Sequence, residues 1–178
     1  MRHIPNVISM IRILLVVPIA LALEDQRLAL SIGLFAIAAA SDVADGFLAR
    51  RFGWKSELGA MLDPIADKLL LAAVFITLSV LKLVPLWLMA AAVARDVIIV
   101  FGAAAYRMVR GPLTAHPSLI SKINTVCQAA FILAVVSRAK FSVPPEWVAT
   151  WLGALMFATV AVSGIDYVLV YGKRAAAA

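Results

Sequence analysis

Cysteine and histidine are almost missing from this chain of 178 residues, which holds one Cys (Cys127) and two His (His3 and His116). A single cysteine excludes an intrachain disulfide, and its place in an apolar run marks it as a small core residue. The two histidines sit in no Glu-x-x-His set, which excludes a carboxylate di-iron bundle. Acidic residues are also scarce, ten Asp and Glu against 16 Lys and Arg. Charged residues make up only 15% of the chain and hydrophobic ones 64%, with a mean hydropathy of +1.01. Soluble domains lie nearer 45–50% apolar, so the solvent this composition suits is lipid. The net charge of +6 then points to cytoplasmic loops and anionic lipid headgroups, not to nucleic acid.

Six apolar stretches approach the roughly 20 residues that a spanning helix needs. They cover about 7–23, 28–48, 61–81, 85–108, 118–137 and 147–171. The breaks are charged or turn-like: Glu24–Arg27, Arg50–Glu57, Lys82–Pro85, Arg110–Pro117 and Ser137–Pro145. Inside lipid a backbone must satisfy its own polar groups, so runs this long predict helices. The expected fold is an all-α integral membrane protein of six transmembrane helices in one bundle. Residues 1–174 read as a single membrane domain, and 175–178 as a tail. The first run lacks a convincing A-x-A cleavage site and is expected to be retained. Trp54, Trp87, Trp147 and Trp151 lie near span ends or loops, where tryptophan anchors to the interface.

Loop charge predicts the orientation. Arg2, Arg50, Arg51, Lys55, Arg107, Arg110, Lys173 and Arg174 fall on one side, and Arg27, Lys82, Arg138 and Lys140 on the other. Eight against four places both termini in the cytoplasm, with the connection between spans 2 and 3 at the same face.

Half of the acidic residues crowd into positions 42–67: Asp42, Asp45, Glu57, Asp63 and Asp67. A carboxylate at bilayer depth costs roughly 2.5–3.5 kcal/mol on insertion scales, so four aspartates here call for a neutralising cation. Asp42 and Asp45 are three apart near the end of span 2, and Asp63 and Asp67 four apart near the start of span 3. On helices each pair shares one face. The short connection is expected to make spans 2 and 3 antiparallel neighbours, so the two pairs converge. All-oxygen ligation suits hard divalent cations, and four carboxylates can hold two of them, Mg2+ or Mn2+, as in phosphoryl chemistry. Gly46 and Gly59 would let a ligand approach the backbone closely, and Arg50 lies one turn beyond Gly46, within reach of a diphosphate.

The stretch reads D-x2-D-G-x2-A-R-x8-G-x3-D-x3-D, with every fixed position filled. It resembles the signature of the CDP-alcohol phosphatidyltransferase family. Ile4-Pro5-Asn6 with Arg12, and Asp63-Pro64 with Ala66-Asp67-Lys68, look like the branch of phosphatidylglycerophosphate synthases and CDP-diacylglycerol-dependent cardiolipin synthases. The resemblance implies a six-span homodimer of a bacterial inner membrane, with a polar cavity open to the cytoplasm. It implies that Asp42, Asp45 and Asp63 bind the metals, and that Asp67 faces them and acts as general base. Asn6, Gly46, Ala49 and Gly59 would line the cytidine-diphosphate pocket, and Arg50 would contact the phosphates. The reaction implied is transfer of a phosphatidyl group from CDP-diacylglycerol to an alcohol, releasing CMP.

The acceptor rests on other residues. Arg95 inside span 4, Arg107 and Arg110 at its end, and Lys122 near the start of span 5 are candidates for binding a phosphate-bearing acceptor. Arg95-Asp96 also reads as a self-neutralising structural pair. Phosphatidylglycerophosphate synthases resemble this chain around Ser121-Lys122-Ile123-Asn124-Thr125 but tend to carry a second lysine where Asn124 stands. One cation fewer favours phosphatidylglycerol over glycerol 3-phosphate as acceptor, which is the cardiolipin synthase reading. A proton-coupled membrane transporter is the rival class. It would spread its acids across the bilayer and show repeated or broken helices, whereas these acids cluster at one face and no repeat is evident.

Overall fold

Apolar runs without internal turn chemistry close their backbone hydrogen bonds locally, and every one of the six runs is helical. A computed structural model describes residues 4–52, 57–110 and 119–176, and within them the side chains of 10–41, 65–102 and 119–167. The described residues form six helices: α1 (Ile4–Glu24), α2 (Leu28–Phe52), α3 (Glu57–Val80), α4 (Leu86–Arg110), α5 (Leu119–Phe141) and α6 (Glu146–Ala176). Each break expected from charge or turn residues separates two of them. The last helix continues through Ala175 and Ala176, into the stretch read as a tail, as befits alanine, the best helix former.

Packing departs from one expectation. Among the described residues α1 is the main partner of both α2 and α3, and α5 also touches both. The direct α2–α3 pairing expected from their short connection is not a principal contact there. The apolar α1 takes that place, with Ile19 and Leu23 buried in a cluster with Phe35 of α2 and Leu71, Val74 and Phe75 of α3. Phe75 stacks on Phe131 of α5 at 6.3 Å between ring centroids. The other half of the bundle pairs α5 with α6, and α4 with α3 and α6.

Around an apolar core, the bundle also exposes apolar side chains and buries several polar ones. Met10, Leu14, Val17 and Leu21 form an exposed apolar stripe along α1, and Trp147, Trp151 and Leu155 another along α6. Meanwhile Arg12, Ser31, Thr77, Arg95, Asp96, Asn124, Gln128 and Ser163 are buried. Exposed apolar stripes of this extent mark contact with lipid or protein, and inward-facing polar residues are the membrane pattern. Among the described residues, Leu119–Phe141 and Glu146–Tyr167 are each long and apolar enough to cross a membrane. Trp87 at the start of α4 is exposed as well, in keeping with interfacial anchoring, while Trp54 lies outside the described residues. Cys127 packs half-buried against the core.

Three connections at one end of the bundle turn through left-handed residues: Gln26 (φ 58°), Lys82 (φ 59°) and Ser142 (φ 58°). After α1 the amide of Arg27 donates to the Ala22 carbonyl at 2.8 Å, and that of Gln26 to Leu23 at 3.1 Å. After α3 the amide of Leu83 donates to Leu78 at 2.9 Å, and that of Lys82 to Ser79 at 3.0 Å. Both are Schellman caps, while Ser142, donating to Arg138 at 2.9 Å, closes the simpler left-handed cap. None uses the glycine such positions favour. Gln26→Gly is therefore expected to stabilise the protein by about 0.5–1 kcal/mol, since relief of side-chain strain exceeds the entropy lost. A thermal unfolding midpoint in detergent that fails to rise would contradict this.

Candidate active site

Helix α2 carries Asp42, Asp45, Gly46, Ala49 and Arg50, and the first three turns of α3 carry Gly59, Asp63 and Asp67. The spacing that puts each aspartate pair on one helical face is thus realised in the backbone. Of these side chains only that of Asp67 falls among the described ones, and it is half-buried. The side chains of Asp42, Asp45, Asp63, Ala49 and Arg50 lie outside them, as do the surroundings of Gly46 and Gly59. Asn6 is in α1, and Arg107 and Arg110 in α4, again with side chains outside the described ones. As a donor set, four carboxylates with no sulfur or imidazole fit hard divalent cations.

One residue beyond Asp67, Lys68 enters a buried charge network that ties four helices together. Its Nζ lies 3.1 Å from Asp96 Oδ1 on α4 and donates to Thr125 Oγ1 on α5 at 3.2 Å. Asp96 Oδ1 also accepts from Arg95 Nη1 at 2.6 Å. Arg95 Nη2 donates to Ser121 Oγ on α5 at 3.0 Å and to Ser163 Oγ on α6. Arg95 and Asp96 are only 4% and 6% exposed. The pair is therefore self-neutralising, and Lys68 joins it as a second cation. Serine and threonine hydroxyls take further donors of both cations, while Arg95 Nε is buried without a hydrogen-bond partner among the described residues, so desolvation of the network is only partly offset.

Of the remaining acceptor candidates only Lys122 has a described side chain, and it lies apart from this network. Lys122 is exposed, one residue from Ser121 but on another face of α5. Asn124 is fully buried and accepts a hydrogen bond from Thr159 Oγ1 at 3.0 Å, so it faces α6 and does not stand beside Lys122. One turn on, Gln128 is fully buried too. Among the described residues, Asn124 Nδ2 and both amide atoms of Gln128 have no partner. Arg95 also borders a cavity of about 250 Å³ between α4 and α6, with Ala94, Ile98, Gly164 and Tyr167. Tyr167 closes that cavity by donating to the Ile99 carbonyl at 3.1 Å. A Cβ at Gly102 would stand 2.5 Å from its hydroxyl oxygen, so glycine there is what admits the tyrosine.

Sequence reasoning missed Lys68, Thr125 and Ser163 as the partners of Arg95-Asp96. The available signal was Lys68 itself, a cation inside an apolar run that needed a buried anion.

Comparison with known proteins decides what carries this arrangement. Residues 2–164 match the CDP-alcohol phosphatidyltransferase family. The chain belongs to that family. The family is described as one of transferases and not of transporters. Among its relatives is the cardiolipin synthase (CMP-forming) of Rattus norvegicus, 30% identical over 96% of this chain and 62% of that protein. The human cardiolipin synthase (CMP-forming) is 29% identical over the same shares. A probable phosphatidylglycerophosphate synthase of Mycobacterium tuberculosis is 31% identical over 93% of this chain and 80% of that protein. The chain thus spans about three-fifths of the length of the mammalian relatives it matches.

Removing the anion of the network leaves Arg95, buried, and Lys68, half-buried, without their shared partner. Asp96→Asn is expected to cost about 3–5 kcal/mol of stability. A double variant, Arg95→Met with Asp96→Leu, is expected to be less destabilised than that single change. Denaturation curves in detergent that rank the two the other way would refute this account of the network.

Proposed function

We propose that this chain transfers a phosphatidyl group from CDP-diacylglycerol to a glycerol-type alcohol, releasing CMP, with phosphatidylglycerol as the preferred acceptor. The observation that carries the reading is the complete aspartate motif, divided between α2 and α3 within the matched family region. Mammalian relatives named cardiolipin synthase, aligned over 96% of the chain, support the acceptor. Glycerol 3-phosphate is the second reading, favoured by the relative named probable phosphatidylglycerophosphate synthase.

In this proposal the six helices all span the membrane, a bacterial inner membrane, with both termini and the aspartates at the cytoplasmic face, and the enzyme is a homodimer. Asp42, Asp45, Asp63 and Asp67 would hold two divalent cations, Mg2+ or Mn2+, which supply charge withdrawal from the diphosphate. Asn6, Gly46, Ala49 and Gly59 line the nucleotide pocket, and Arg50 grips the phosphates. Asp67 takes the proton of the acceptor hydroxyl, whose oxygen attacks the diacylglycerol-side phosphorus while the CMP oxygen departs. Arg107, Arg110 and Lys122 bind the acceptor's phosphate. Arg95 acts from within its network, holding α4 against α5 and α6 beside the acceptor.

Asp67→Asn is expected to abolish CMP release while CDP-diacylglycerol binding persists, whereas Asp42→Asn weakens metal dependence and binding together. Full CMP release by either variant would overturn the assigned roles. Radiolabelled CDP-diacylglycerol offered with phosphatidylglycerol or glycerol 3-phosphate in parallel tests the acceptor. Product with glycerol 3-phosphate alone would select the second reading.

A further inference from the structure

A groove of about 750 Å³ opens at the end of the bundle that bears the three left-handed turns. It lies between the start of α4, the last turns of α5 and the first turns of α6. Fifteen residues of chain separate Asp67 from Lys82 at its mouth, about 22 Å at the helical rise. The groove is therefore distinct from the aspartate site.

Its two ends differ in chemistry. Lys82, Arg138 and Glu146 stand at the mouth, two cations against one acid. Arg138 donates to the Pro144 carbonyl at 3.3 Å and to Glu146 Oε2 at 2.9 Å. Those contacts orient the guanidinium and use two of its five N–H donors. Deeper in, the walls are apolar. Trp87 and Phe157 meet edge to face at 5.3 Å, and the floor is Phe131 lying on Gly153, where a Cβ would come within 3.0 Å of the ring. From Glu146 to Phe157 the groove follows eleven residues of α6, about 16 Å of helix. The mouth coincides with the adjoining ends of the two stretches able to cross a membrane, Phe141 and Glu146. On the membrane reading of these stretches, the mouth falls at headgroup level and the apolar end at acyl-chain depth. The volume falls within the range of about 300–1,000 Å³ typical of small-molecule sites.

We propose that this groove binds one anionic glycerophospholipid, its phosphate between Lys82 and Arg138 and an acyl chain along α6 toward Phe157. Charge complementarity selects the headgroup, and the depth of the apolar walls selects a lipid over a soluble phosphate. The inference rests on the membrane reading of the chain and not on its catalytic assignment.

Trp87 reports on occupancy. In the full chain with Trp54, Trp147 and Trp151 changed to Phe, reconstituted in phosphatidylcholine nanodiscs, lipid brominated on its acyl chains quenches Trp87 on contact. Brominated phosphatidylglycerol is expected to quench at about fivefold lower mole fraction than brominated phosphatidylcholine for each cation engaged. Lys82→Gln with Arg138→Gln removes that preference, and Ala154→Phe, which fills the groove from its wall, removes it too. Equal quenching by the two lipids in the parent, or a preference unchanged by these variants, overturns the proposal. So does a dimer that dissociates in Ala154→Phe without any lipid preference, which would make a second copy the occupant. In the chain with all its tryptophans, native mass spectrometry is expected to count one phosphatidylglycerol fewer on Ala154→Phe than on the parent, and equal counts overturn the proposal independently. Absence of CMP release from the parent would refute the catalytic reading while leaving the Trp87 result to stand or fall alone.

Discussion

Asp96 sits between Lys68 and Arg95 in a setting that offers almost no water. An isolated charge there would be driven to neutralise or to pull its helix outward. Paired as it is, it instead specifies which faces of α3, α4, α5 and α6 meet. Apolar packing alone is poorly suited to that task in lipid, where one leucine surface is much like another and the tails outside are equally apolar. Ser121, Thr125 and Ser163 complete the network with hydroxyl groups small enough to let the helices approach. The position of Asp67 on α3 follows from this, because Lys68 pins the same turn from the inside.

A division of labour within the bundle results. The motif acids belong to α2 and α3, which α1 holds together through Ile19, Leu23, Phe35 and Phe75. The acceptor candidates belong to α4 and α5, joined to α3 by the charge network. The two halves meet along α3, whose Asp67 is proposed to take the acceptor's proton and whose Lys68 answers to Asp96. On the proposed roles, donor and acceptor chemistry would meet at two consecutive residues of one helix.

Much of this was legible before any coordinates. Six apolar runs separated by charged breaks became six helices because runs of that length without turn chemistry close their backbone hydrogen bonds within themselves. The aspartate spacing was readable because helical geometry is regular. What escaped was tertiary. The insertion of α1 between α2 and α3 leaves no trace in local pattern, since any apolar helix face could have filled that place. Lys122 and Asn124 are two residues apart in sequence, yet one is exposed and the other faces Thr159, and without the helix's rotation the two look like one site. Arg95 read first as a substrate ligand, with a structural ion pair as the alternative. Only its contacts with Asp96, Ser121 and Ser163 show how much of it is engaged inside the protein.

The sharing of one aspartate by two cations has an evolutionary corollary. A lineage that loses Asp96 strands both Lys68 and Arg95, and one that loses either cation shifts the balance at the remaining pair. The three positions can drift only as a set, through intermediates that are less stable than either endpoint. Lys68 adjoins Asp67 in the chain, so that barrier also shields the neighbourhood of the proposed base from gradual change. Under the proposed acceptor roles, Lys122 and the end of α4 stand outside the set, so acceptor preference would be free to diversify there without disturbing it.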